Sequence, residues 1–273
     1  MSGSPAYDLL VCDLDGTLID KSLALDPALV EAFNRAREGG LTISLATGRM
    51  PPGAERYREE LGITAPLIFY NGALVRDPVS GQDLYAVTLP RGLLREIYGI
   101  FSHAPVHPLF YRDDRLYCLE RTFPVRDYGD AQGLEIEVIP DPEEFLALGA
   151  FVKGLFIGHP AMLPLLREEL GPAAGTEARL VMTRADYLEL IPAVASKGAA
   201  LHRLTEHLGV PLERVIAVGD QENDLEMLEA AGLGLAMPEA PERVRKAAGR
   251  VVPPAGEGGL LAVLREVLPE YFA

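Results

Sequence analysis

Short apolar runs alternate with helical patterns at both ends of this chain, an order that a doubly wound α/β sheet buries. Tyr7 to Cys12 (YDLLVC) is a run of the buried-strand type. Asp26-Pro27 then supplies an N-cap and a proline at the first helical position, with Leu29, Val30 and Phe33 as the apolar face and Gly39-Gly40 as the stop. Leu41 to Ala46 and Leu67 to Tyr70 read as the next strands, and Val215 to Val218 and Leu233 to Met237 as two more. Helical patterns at about 197–208, 223–231, 241–248 and 257–268 separate or follow them, and Val252 to Gly259 reads as a surface loop. The middle differs. Hairpin-like pieces such as Pro108 to Leu119 around Asp113-Asp114, helical stretches near 90–102 and 160–170, and strands at Phe151 to Ile157 and Tyr187 to Ile191 make an α+β module. The expected architecture is a Rossmann-like doubly wound parallel-sheet core, residues 1–83 and 191–273, with an α+β module, residues 84–190, inserted into it.

Composition narrows the function classes. The 273 residues carry a formal charge of −15, which argues against a nucleic-acid partner and sets a puzzle for any anionic small substrate. No apolar run approaches the roughly 20 residues of a membrane helix, and no basic region followed by an apolar stretch marks a signal peptide. Cys12 and Cys118 form neither a CxxC nor a zinc spacing, so the expected setting is a reducing cytoplasm. Monomer and homo-oligomer stay open. Of the 25 Lys and Arg residues only four are Lys, at 21, 153, 197 and 246, which makes a Lys at a loaded position conspicuous.

The strongest motif is Asp13-Leu14-Asp15-Gly16-Thr17, directly after the first strand. Ligands of open α/β sheets gather at the carboxyl ends of strands, so Asp13 emerges at the active edge and Gly16 permits the turn away. A solvated Asp-Gly bend is the bland alternative, but four fixed positions of this kind arise by chance on the order of once in 10⁵ starts. A second acidic cluster, Gly219-Asp220-Gln221-Glu222-Asn223-Asp224, follows the Val215 strand. It could simply cap a helix; paired with the first, it offers hard oxygen ligands for Mg²⁺. Thr47-Gly48-Arg49 ends the second strand with a hydroxyl, a close-approach glycine and a cation. Lys197, in Ser196-Lys197-Gly198, opens a helix where the dipole disfavours a cation, which calls for a compensating anion, either a substrate phosphate or Asp13.

Taken in order, Asp13-Leu14-Asp15-Gly16-Thr17, Thr47-Gly48-Arg49, Lys197 and Gly219-Asp220 with Asn223-Asp224 resemble the four motifs of the haloacid dehalogenase superfamily of phosphatases. The insert, with Asn71-Gly72, Ser196-Lys197-Gly198 and Leu235-Ala236-Met237, is similar to the Cof-type subfamily with a type IIB cap. The resemblance implies a Mg²⁺-dependent phosphatase for sugar phosphates or similar small esters. Asp13 is then the nucleophile that forms an aspartyl-phosphate, Asp15 the acid and base, and Lys197 a further catalytic group. Asp13, the Asp15 carbonyl, Asp220 and Asp224 are the metal ligands, with Asn223 as an alternative to Asp224. Thr47, Lys197, Asn223 and the Leu14 and Gly48 amides position phosphate. Arg49, Asn71, Gly72, His107, Tyr111, Arg112 and Arg184 are the candidates for substrate contact. The chain departs from the subfamily at Met237-Pro238-Glu239-Ala240, where Gly-Asn-Ala usually follows Ala-Met. A sugar phosphomutase of the same superfamily and a non-enzymatic phospho-acceptor switch remain as alternatives. A dinucleotide oxidoreductase is disfavoured, because Gly232-x-Gly234 lacks a third glycine at the right spacing.

Overall fold

A computed structural model describes residues 6–272. The chain divides into two compact units. One comprises the segment up to Met50, Ala54–Ala86 and the chain from Ser196 on; the other comprises Val87–Ala195 with Pro51–Gly53. These joints lie a few residues beyond the sequence-based boundaries.

In the first unit the main sheet is parallel, in the order Arg250–Val251, Leu233–Ala236, Val215–Gly219, Leu9–Cys12, Thr42–Leu45. Leu9–Cys12 sits between strands reached in opposite directions, Thr42–Leu45 on one side and Val215–Gly219 on the other. That is the switch point where an open α/β sheet leaves a crevice at its carboxyl edge. Both Leu9–Cys12 and Val215–Gly219 are buried throughout, as strands covered on both faces must be. Helix Pro27–Glu38 starts on Asp26, whose carboxylate accepts the Ala28 N–H at 2.9 Å, and it buries Leu29 and Phe33 while Val30 is half-buried. Later helices run Lys197–Leu208, Leu225–Ala230, Glu242–Ala247 and Gly259–Val267.

Leu67–Phe69 departs from its expected place as a further strand of the main sheet. It turns back through Tyr70–Gly72, with φ of +52°, +56° and +96° at Tyr70, Asn71 and Gly72, and pairs antiparallel with Leu74–Arg76. Asp83–Ala86 completes that smaller three-stranded sheet, which meets the main one through a bridge between Ala46 and Ile68. Three successive left-handed residues reverse the chain before parallel pairing extends. Val252–Gly259 also departs from a plain surface loop. Val252 is buried, Ala255–Glu257 makes a 3₁₀ turn, and Gly259 opens the next helix.

The second unit carries one sheet ordered Ala178–Arg184, Tyr187–Pro192, Lys153–Gly158, Val106–Arg112, Arg115–Cys118, Ile136–Val138, antiparallel except for the last pair. The hairpin turns through Asp113 and Asp114 at φ +49° and +57°, the double left-handed geometry that matches strand twist. Helices Leu93–Phe101 and Leu163–Ala174 share a core with one face of this sheet. At its centre Phe110 lies 5.2 Å from Phe151 and 5.5 Å from Phe145, ring centre to ring centre.

Cys12 and Cys118 are buried and unbridged. Burial, and then the neighbouring Asp13, push the Cys12 thiol up; burial pushes Cys118 up to about 11. Neither forms the thiolate needed for reaction near neutrality. We expect negligible modification of the native protein by an aromatic disulfide reagent over minutes, and two equivalents of reaction after unfolding in guanidinium.

Candidate active site

The carboxyl edge of the main sheet gathers the charged motifs. Asp13 leaves the first strand with its N–H donating to the Val218 carbonyl at 2.8 Å, which fixes it beside the strand that delivers Asp220. Gly16, at φ +87°, turns the chain next to Asp220; a Cβ there would lie 2.3 Å from an Asp220 carboxylate oxygen. Thr17 Oγ1 donates to Asp220 Oδ1 at 3.0 Å, and Gln221 Nε2 donates to Asp220 Oδ2 at 2.8 Å. The Asp220 and Gln221 N–H groups both donate to Asp224 Oδ2 at 2.9 Å, so the second acidic cluster folds onto its own backbone. Thr17 and Gln221 stood within the motifs but had no assigned role.

Asp13, Asp220 and Asp224 each offer an oxygen within 4.8 Å of the others, and all three are buried. Lys197, fully buried, spans the group: its Nζ donates to Asp13 Oδ1 and to Asp224 Oδ1, both at 2.5 Å. The anion that a lysine at a helix start requires is therefore a pair of carboxylates. Burial alone would lower the Lys197 pKa, but Asp13 and Asp224 outweigh it and hold the ammonium charged. Burial, with Asp224 and Asp220 adding to it, pushes Asp13 well above the ordinary carboxylate range against the pull of Lys197. Asp220 is likewise raised, chiefly by burial. Three carboxylates against one ammonium leave a formal −2 in a buried site. This donor set of hard oxygens with an uncompensated charge fits a divalent cation.

The flanking motifs close around this group. Thr47 is buried, its Oγ1 accepts the Arg49 N–H at 3.1 Å, and its carbonyl accepts the Asn71 N–H at 3.0 Å. Asn223 Nδ2 donates to Asn71 Oδ1 at 2.9 Å, which ties the second acidic cluster to the left-handed turn. Gly48 packs against Asn71, and a Cβ at Gly72 would lie 2.0 Å from the Ser196 carbonyl, so glycine is required where that turn meets the start of the Lys197 helix. Leu14 is buried and its carbonyl accepts from Leu18 and Ile19.

Asp15 lies outside the three-carboxylate group; its carboxylate is held by Arg49. Asn71 and Gly72 belong to the first unit, and the remaining candidate contacts, His107, Tyr111, Arg112 and Arg184, to the second. Tyr111 is 2% exposed, its hydroxyl shares a hydrogen bond with Tyr128 at 2.5 Å, and its ring faces Lys153, itself buried against Glu189. Arg112 pairs with Asp113, and Arg184 pairs with Asp186 while stacking on Tyr187. His107 is half-buried at one wall of a cavity of about 370 Å³.

An open parallel sheet with clustered acids at its switch point places a buried, negatively charged site at its carboxyl edge. A family model described as haloacid dehalogenase-like hydrolase matches residues 10–264. The chain belongs to that family, in the Cof-type branch that its motifs resemble. An HMP-PP phosphatase of Yersinia pestis is 30% identical over 236 residues, 86% of this chain and 85% of that protein. A haloacid dehalogenase-like hydrolase from Bacteroides thetaiotaomicron superposes with a TM-score of 0.87 at 28% identity, over 96% of this chain and 99% of the other. An Arabidopsis thaliana protein named endoribonuclease YBEY, chloroplastic, is 29% identical over 89% of this chain, but the chain spans only 44% of that longer protein. Among the described residues no helix is long and apolar enough to cross a membrane.

Proposed function

We propose that this hydrolase cleaves small phosphate monoesters through an aspartyl-phosphate on Asp13. The observation that carries the reading is the buried group of Asp13, Asp220 and Asp224 spanned by Lys197. A carboxylate so placed is a fixed nucleophile, and Lys197 orients it through Oδ1. In the first step an Asp13 oxygen bonds to phosphorus, the ester P–O bond breaks, and Asp15 gives a proton to the departing alkoxide. In the second, Asp15 takes a proton from water, whose oxygen bonds to phosphorus as the Asp13–phosphorus link breaks. Asp13, Asp220 and Asp224, with the Asp15 carbonyl, would hold Mg²⁺, which when bound offsets the repulsion between the nucleophile and the phosphoryl group. The Thr47 hydroxyl accepts from Arg49 and keeps its own proton to donate to a phosphate oxygen. Lys197, Asn223 and the Leu14 and Gly48 amides complete that cradle. The inserted unit, Val87–Ala195, serves as the cap that selects the ester, with His107, Arg112 and Arg184 as its polar contacts; buried Tyr111 acts there as scaffold.

The test is phosphate release with Mg²⁺ from sugar phosphates, FMN, pyridoxal phosphate and nucleoside monophosphates, each with and without chelator. We expect release from at least one ester, loss of at least about 100-fold with chelator, and recovery on adding Mg²⁺. Release that is indifferent to chelation contradicts the cation's role. Isomerised hexose phosphate without free phosphate points to a mutase, and a stable phosphoenzyme without turnover to a phospho-acceptor switch.

A further inference from the structure

We propose that Arg49 is a positioning residue that acts on the reaction through Asp15 and makes no contact with the substrate. The proposal rests on the reading of Asp15 above and adds to it a residue that the motif reading had placed among substrate contacts. Arg49 Nε donates to Asp15 Oδ2 at 2.8 Å and Nη2 donates to Asp15 Oδ1 at 2.6 Å. This fork-on-fork pair fixes both the distance and the plane of the carboxylate, which a lysine could not do.

Further contacts anchor the arginine. Its N–H donates to Thr47 Oγ1 and its carbonyl accepts the Tyr70 N–H at 3.0 Å, so the backbone is tied to the buried Thr47 and to the left-handed turn. Its guanidinium lies 5.2 Å from the ring centre of Tyr57, which is 1% exposed. The Arg49 side chain is 12% exposed and that of Asp15 is 50% exposed. The arginine is the buried member of the pair, and the carboxylate it holds is the one open to solvent. Asp15 must serve two reacting atoms in turn, the ester oxygen and the attacking water. A rigid bidentate partner gives it one reproducible resting position from which to reach both.

The consequence is a specific kinetic pattern. Loss of a positioner of Asp15 slows the step that breaks down the phosphoenzyme, whatever ester formed it. It slows phosphoenzyme formation most for alkyl esters, whose leaving groups need help, and least for p-nitrophenyl phosphate. Loss of a substrate contact raises KM for every ester alike.

The experiment compares the intact wild-type protein with Arg49→Gln, Arg49→Lys, Asp15→Ala and the Asp15→Ala/Arg49→Gln double variant, using p-nitrophenyl phosphate and one hydrolysed alkyl phosphate. Melting curves establish which variants are folded. We expect Arg49→Gln to lower kcat for the alkyl ester about 10- to 100-fold with KM within about threefold of wild type. We also expect the phosphorylated fraction at steady state to rise, Arg49→Lys to recover part of the loss, and the second substitution to add less than about twofold in the Asp15→Ala background. A raised KM with unchanged kcat, or additive losses in the double variant, overturns the proposal. If Arg49→Gln does not fold, Arg49→Lys and Asp15→Ala/Arg49→Lys carry the same comparison. An Asp15→Ala protein as active as wild type instead overturns the reading of Asp15 itself, so the two failures are distinct.

Discussion

Asp13→Asn lowers kcat for ester hydrolysis by at least about 10⁴-fold while leaving the fold intact. An amide oxygen does not bond to phosphorus as a carboxylate does, so the two-step route closes. The substitution is nearly isosteric, and the N–H of residue 13 keeps its bond to the Val218 carbonyl, because that bond belongs to the backbone. Lys197 retains Asp224 as a partner at 2.5 Å. Burial already raises the Asp13 pKa, so replacing its charge removes a buried anion that the metal-free fold must accommodate. The melting temperature without added metal should therefore be equal to or above that of wild type, as scanning fluorimetry can check. Coincident loss of activity and of the folded state would assign Asp13 a structural role in place of a chemical one.

Lys197→Met is the opposite experiment, since it keeps the length of the side chain and removes the charge. Asp13 and Asp224 then remain buried, each without its 2.5 Å partner. Removing one member of a buried charge group costs about 3–5 kcal/mol, and activity should fall with it. The pH dependence follows from linkage. The folded-state pKa of Asp13 is raised above its unfolded value, so its contribution is fully present below the ordinary carboxylate range and is lost as pH rises through the folded value. Loss of Lys197 raises that folded value further. Denaturant titrations in chelator should accordingly show a larger penalty for Lys197→Met at pH 8 than at pH 5. An equal penalty at both values would show that the two carboxylates are not what Lys197 compensates.

The features that were readable in the sequence are those that residues encode locally. A buried strand followed at once by Asp13-x-Asp15-Gly16, and another followed by Gly219-Asp220, identify strand ends of one sheet, and the parallel order places them side by side. The alternation of apolar runs with helical patterns defines the doubly wound core for the same reason. Helix Pro51–Glu60 is not legible from periodicity because it buries only Ala54 and Tyr57 and shows no apolar stripe, although Pro51-Pro52 is a helix-start signal. Helix Phe123–Gln132 is similarly sparse, burying Val125 and Gly129. The short strands Leu74–Arg76 and Asp83–Ala86 have three and four residues, too few to establish a period. The pairing of Arg49 with Asp15 spans 34 residues, and the guanidinium also lies over Tyr57 of the next helix, so the arrangement is a product of the tertiary fold. Lys197 lies between these cases. Its conflict with the helix dipole was visible in the chain, but the identity of its two carboxylate partners required the folded sheet edge.

The covalent intermediate is the centre of the account, and one measurement reaches it directly. The Asp15→Ala protein, mixed with Mg²⁺ and a hydrolysed ester, is quenched in acid within the first turnover and digested for mass spectrometry. The expected result is a phosphoryl group on the peptide containing Asp13, labile to hydroxylamine, present at a large fraction of enzyme and absent from Asp13→Asn. Free phosphate appearing on the same timescale with the Asp13 peptide unmodified would contradict it.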